Sequence, residues 1–168
     1  MVKPLKVSLF AIALAIAAAG IYFAFVRQPQ MPEVKFTTLS GELIAPADLR
    51  GKVTLVNFWA TSCAPCVTEM PRMTETYNKF KDRGFETIAV AMDYDPPNYV
   101  KNYVDRNHLP FKVALDTRGE VAKGYGNVTM TPTTFIIDKQ GRIIKSYLGE
   151  LDYPKLDKLL DSALKEPA

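Results

Sequence analysis

Cys63-Ala64-Pro65-Cys66 holds the only two cysteines of the 168-residue chain. Two thiols at this spacing can supply half of a tetrahedral metal site, staple a short loop, or cycle between dithiol and disulfide. A zinc site needs two further ligands, and outside the motif the chain has no cysteine and one histidine, His108, so no metal site is expected. A staple across so small a loop removes little unfolded-state entropy. Reversible redox chemistry is the favoured reading.

The flanking residues place the thiols. Val53 to Trp59 is short, apolar and free of glycine and proline, the pattern of a buried strand. A helix is expected to start near Cys63 and run towards Phe80. Cys63 then lies at the helix N-terminus, where free N–H groups and the dipole favour a thiolate. Pro65 suits the first helical turn, since its missing N–H has no intrahelical partner there. Cys63 is accordingly the expected exposed nucleophile and Cys66, one turn deeper, the resolving thiol. Glu69 follows Cys66 by three residues and shares its helix face. A partly buried carboxyl there would have a raised pKa and could exchange a proton with Cys66. An exposed acid favourable to the helix start is the alternative, and position alone does not choose between them.

The rest of the chain supplies a frame. Gly41 between short apolar runs suggests an N-terminal hairpin. Beyond the motif the pattern predicts a strand at Thr87–Ala91, a break at Asp95-Pro96-Pro97, a helix near Asn98–Asn107 and a strand at Phe111–Leu115. A short helix at Glu120–Tyr125, strands over 133–137 and 142–147 about a turn at Asp138–Gly141, and a helix over Pro154–Leu164 complete it. Strands alternating with helices, ending in a hairpin and a helix, indicate an α/β sandwich of three layers. His108 reads as a cation at a helix C-terminus. Asp93 and Asp95 read as loop and cap, and Asn127-Val128-Thr129 as a sequon without a role.

Val7 to Val26 carries no charge and is long enough to span about 30 Å of hydrocarbon. Lys3 and Lys6 ahead of it favour a cytoplasmic N-terminus with the remainder translocated. Ala17-Ala18-Ala19 before Gly20 leaves a cleaved signal peptide as the rival, but cleavage there would strand the apolar Ile21–Val26, and a retained anchor is favoured. The expected organisation is an anchor over 1–27, a linker over 28–32 with two prolines, and one domain over 33–168. Of 21 Lys+Arg and 18 Asp+Glu, three basic residues and no acid fall in the first 27 positions. The domain is then neutral, with no basic footprint for nucleic acid.

Asn57-Phe58-Trp59-Ala60-Thr61 before the cysteines, Pro71 within the helix, Thr131-Pro132-Thr133-Thr134-Phe135-Ile136-Ile137-Asp138 and the late Gly149 resemble the thioredoxin superfamily. The resemblance is strongest to its membrane-anchored TlpA/ResA-type thiol–disulfide oxidoreductases and covers roughly residues 33–165. It implies a thioredoxin-like sandwich with an N-terminal hairpin and a strand-helix insert between residues 87 and 115. It also implies a cis bond before Pro132, which the sequence alone would read as an ordinary turn proline, and places Thr131 against the Cys63 sulfur. Substrate contact is then expected at Trp59, Ser62, Pro65, Thr131 and Pro132, and Glu69 matches a glutamate common in this branch. Two positions depart: Ser62 stands where tryptophan is usual, and Asn57 where cytosolic thioredoxins carry an acid.

In function, the resemblance implies a protein-disulfide reductase on the outer side of the cytoplasmic membrane, in the periplasm. It would act as a monomer on disulfides of periplasmic proteins such as apocytochrome c, fed by a membrane thiol-electron transporter. No cofactor beyond the Cys63–Cys66 couple is expected. A peroxiredoxin-like peroxidase is the first rival, but Val56 and Ala60 stand where that family needs proline and threonine. A thiol-based copper-binding module is the second, kept open by Met130 beside the expected proline loop. The residues alone leave the direction of electron flow open.

Overall fold

Val53–Trp59 forms the middle strand of the sheet in the computed structural model, which describes residues 28–167 and positions 12, 14–16 and 20. The expected spanning segment Val7–Val26 therefore lies largely outside the described residues. Among the described residues no helix is long and apolar enough to cross a membrane.

Strands β1 (Phe36–Thr37) and β2 (Leu43–Ile44) form the expected hairpin. The main sheet contains β3 (Val53–Trp59), β4 (Phe85–Ala91), β5 (Lys112–Leu115), β6 (Thr133–Ile137) and β7 (Ile143–Leu148), in the order β5-β4-β3-β6-β7. β4 runs parallel to β3 and β5 parallel to β4, whereas β6 is antiparallel to β3 and β7 to β6. The helices are α1 (Ala64–Phe80), α2 (Pro97–Asn107), α3 (Glu120–Gly124) and α4 (Tyr153–Lys165). Residues 87–115, where strand-helix material is expected, fall in β4, α2 and β5, and β5 is the edge strand on that side of the sheet.

Every residue of β3 is buried, as a strand covered on both faces requires. Alternate side chains feed two cores. Val53, Leu55 and Trp59 pack with Met70, Met73 and Phe80 of α1, Val100 of α2, and Leu156 and Leu160 of α4. Val56 and Phe58 point the other way, into Phe36, Ile44, Leu49, Val121 and Tyr125. The sandwich does have three layers, but the second covering layer is thin. A hairpin, a 3-10 turn at Pro46–Leu49 and the five-residue α3 build it.

Pro71 lies inside α1, where it cannot donate to the Val67 carbonyl one turn back. Tyr103 of α2 turns its hydroxyl towards that carbonyl, at a long 3.5 Å, and sets its ring at a tilt against Trp59 with centroids 5.2 Å apart. Helix α2 is therefore packed directly against the motif-bearing helix. His108 caps α2 through its backbone, in the left-handed region at φ 48°; its ring is exposed.

Residues 28–32 do not stand clear of the domain. Gln30 bridges to Arg142, Ile143 N donates to Pro29 O at 2.7 Å, and Met31 N donates to Gly141 O at 2.9 Å. The Met31 side chain is buried in the second core. The segment read as a linker from its prolines is a short extension along the start of β7.

Candidate active site

β3 ends at Trp59, and the chain turns through Ala60–Ser62 before α1 begins. Cys63 N donates to Ala60 O at 3.1 Å and closes that turn. Cys63 is the N-cap of α1: its backbone is extended and its Sγ accepts from Cys66 N at 3.3 Å. The sulfur thus takes the place a serine or aspartate oxygen fills at most helix starts. Pro65 sits in the first turn, as expected. The two cysteines are joined by a disulfide with Cα atoms 5.3 Å apart. Cys63 is half-buried while Cys66 is 2% exposed, so an incoming thiol or disulfide meets Cys63 first.

Ser62 and Pro65 are exposed beside Cys63. The Thr131–Pro132 bond is cis. Thr131 is half-buried, and the Pro132 ring is buried. Gly149, in the left-handed region at φ 88°, donates its N–H to Pro132 O at 2.8 Å and holds the loop to the end of β7. Tyr94, an exposed residue of the β4–α2 loop, brings its hydroxyl to 3.4 Å from Thr131 Oγ1.

Trp59, a substrate contact by the resemblance, does not reach the surface: its ring is fully buried in the first core. The reason is register: it lies on the same face of β3 as Val53 and Leu55, beneath α1 and α2. The Pro132 ring is buried as well, so of this cis pair the half-buried Thr131 is the residue that offers surface.

Glu69 is 6% exposed, on the same helix face as Cys66. Its carboxylate accepts from Leu151 N at 2.7 Å, and Tyr153 donates its hydroxyl to the Glu69 backbone oxygen at 3.3 Å. Burial pushes its carboxyl pKa above the usual carboxylate range; the Leu151 hydrogen bond opposes that rise without cancelling it. A cavity of about 330 Å³, lined by Thr68, Glu69, Arg72, Leu151 and Tyr153 among others, opens beside the carboxyl. Glu69 is therefore no surface acid. In the disulfide form its carboxylate engages the Leu151 amide.

Two polar contacts near the dithiol have no local signal in the sequence. Asn57 Nδ2 donates to Thr134 Oγ1 at 2.9 Å, a neutral buried pair at the position where cytosolic thioredoxins carry an acid. Asp95, read as loop and cap, is 5% exposed and accepts from both Thr61 N and Thr61 Oγ1, each at 2.6 Å. Its partner lies 34 residues away.

A cysteine pair at the start of the helix that follows the central strand, with a cis-proline ahead of the antiparallel β6 and this sheet order, defines a thioredoxin-fold thiol–disulfide oxidoreductase. Residues 27–160 match the protein-family model described as Redoxin. The chain is 41% identical over 131 residues to the thiol-disulfide oxidoreductase ResA of Bacillus thuringiensis subsp. konkukian, covering 78% of this chain and 75% of that one. Identity to ResA of Geobacillus kaustophilus is 36% over 131 residues, 78% of this chain and 74% of that one. Among solved structures, a thioredoxin-family thiol:disulfide interchange protein from Chlorobium tepidum superposes with a TM-score of 0.75 at 29% identity. That match covers 82% of this chain and 97% of the other. StoA from Bacillus subtilis gives 0.66 at 26%, covering 77% and 98%. The chain belongs to the Redoxin family, and within it to the ResA group of thiol–disulfide oxidoreductases.

Proposed function

We propose that the protein is held in the cytoplasmic membrane by Val7–Val26 and reduces disulfides of proteins on the outer side, apocytochrome c among them. It works as a monomer with the Cys63–Cys66 couple as its only redox group, and a membrane thiol-electron transporter restores the dithiol. The inequality of the thiols carries this reading: Cys63 caps α1 within reach of solvent and Cys66 is buried behind it. The uncharged run after Lys3 and Lys6 and the likeness to ResA support the location and the direction.

The Cys63 thiolate attacks one sulfur of the substrate disulfide. That S–S bond breaks, an intermolecular S–S bond forms, and the departing substrate sulfur takes up a proton. Cys66, its proton passed to the Glu69 carboxylate, attacks the Cys63 sulfur; the Cys63–Cys66 bond forms, the intermolecular S–S bond breaks, and the second substrate sulfur leaves and takes up that proton. Two electrons pass from the dithiol to the substrate. Ser62, Pro65 and Thr131 form the surface met by the substrate chain, and the backbone at Thr131, just ahead of β6, is where that chain pairs by β-addition.

One experiment tests place and direction together. Intact cells are exposed to a membrane-impermeant thiol reagent, with and without prior reductant. The expected result is labelling of Cys63 without added reductant. Labelling only after lysis would exclude the outer location, and labelling only after added reductant would exclude the reducing role.

A further inference from the structure

We propose that Asp95 is a positioning residue for the Cys63 thiolate: its buried carboxylate fixes the turn that delivers Cys63 to the start of α1. The inference rests on the thiol–disulfide chemistry of the site and not on membrane location or direction.

A carboxylate 5% exposed is costly to bury unless its oxygens are satisfied. Among the described residues Asp95 has no ion-pair partner. It spends one oxygen on the backbone N–H of Thr61 and the other on the hydroxyl of the same residue, both at 2.6 Å. Two charge-assisted bonds to one residue fix both its backbone and its rotamer. The segment carrying Asp95 is itself tied down at both ends of a tight turn. Met92 N donates to Trp59 O and Asp95 N donates to Met92 O, each at 3.0 Å. Pro96 and Pro97 follow, limiting backbone freedom between Asp95 and α2.

The held residue stands two positions before the nucleophile. In the disulfide form the S–S bond and the Cys63 N to Ala60 O bond also restrain this turn. Reduction removes the S–S bond. Asp95 is then the side chain that keeps residues 60–63 where Cys63 Sγ can accept from the Cys66 N–H. A thiolate at that spot is favoured by free helix N–H groups and the dipole, effects that fade within about one turn. A loose turn therefore costs thiolate. An ordinary loop staple would give stability without touching the thiol, so the titration of Cys63 separates the two roles.

The reduced full-length protein in detergent serves, with iodoacetamide alkylation of Cys63 followed against pH by peptide mass spectrometry. Asp95→Asn removes the charge but keeps both contacts: the amide oxygen accepts from Thr61 N, and the Thr61 hydroxyl reverses to accept from the amide nitrogen. It should alkylate within about threefold of the unmodified protein at neutral pH, since hydrogen-bond geometry is kept. Asp95→Ala loses both contacts. Its profile should move to higher pH than that of Asp95→Asn, with a rate at neutral pH lower by about tenfold, the equivalent of one pKa unit. Thr61→Val removes the hydroxyl contact alone and should shift in the same direction by less, which keeps the test decisive if Asp95→Ala does not fold. Coincident profiles for Asp95→Ala and Asp95→Asn, or an unmodified profile for Thr61→Val, would overturn the proposal.

Discussion

Cys63→Ala should reduce disulfide exchange to background, a loss of about 10³-fold or more, because no other group can attack. Cys66→Ala should do something different. Its Cys63 thiolate still attacks, but nothing resolves the product, so intermolecular disulfides accumulate on non-reducing gels. The asymmetry arises from a half-buried helix cap and a thiol only 2% exposed. Equal accumulation by both variants, or accumulation by Cys63→Ala alone, would reverse the two roles.

The second large effect is expected at Glu69. Proton transfer by a placed side chain typically contributes about 10²–10⁴-fold; thiols ionise readily, so Glu69→Gln should slow exchange by about tenfold to a hundredfold and flatten its pH dependence. Stability should move the other way. Burial raises the folded-state carboxyl pKa above its ordinary 4.5. The stabilising contribution of this group is then complete below the unfolded-state value and is lost as pH rises through the folded-state value. The glutamine of the variant cannot ionise, and its amide oxygen can still accept from Leu151 N. Thermal unfolding should therefore show the variant at least as stable as the parent at pH 7, with the advantage gone at pH 4. Glu75→Gln is the control, since Glu75 is an exposed partner of Arg72 at 3.4 Å. A variant with the parent's rate and pH profile would reduce Glu69 to a packing residue.

The features legible in the sequence were those written within a few residues. The apolar run of β3, the cysteine spacing and Pro65 together place a helix start at Cys63. Glycines and prolines mark most other boundaries within one or two positions. Contacts between distant segments were not legible. Leu151 lies 82 residues from Glu69, Thr134 lies 77 from Asn57, and Asp95 lies 34 from Thr61. Asp95-Pro96-Pro97 has the composition of a loop and is one; nothing nearby tells that its carboxylate turns inward. Trp59 failed for a related reason. The resemblance implies contact with substrate there, but strand register sends the ring beneath two helices. The thin second covering layer leaves no periodic signal because its elements span two to five residues each, too few for a period to emerge.

The docking of residues 29–31 sets where the folded unit can be cut. A soluble fragment that starts at residue 33 lacks Met31, whose side chain is 3% exposed, and so leaves an apolar socket open in the second core. It also strips Pro29 and Gln30 from the first residues of β7, the outermost strand on that side of the sheet. An uncovered strand with unpaired N–H and C=O groups is a template for joining other chains. A fragment that starts at Gln28 keeps the cover. Light scattering should find the longer fragment monodisperse and the shorter one self-associating at the same concentration, although the two carry the same dithiol.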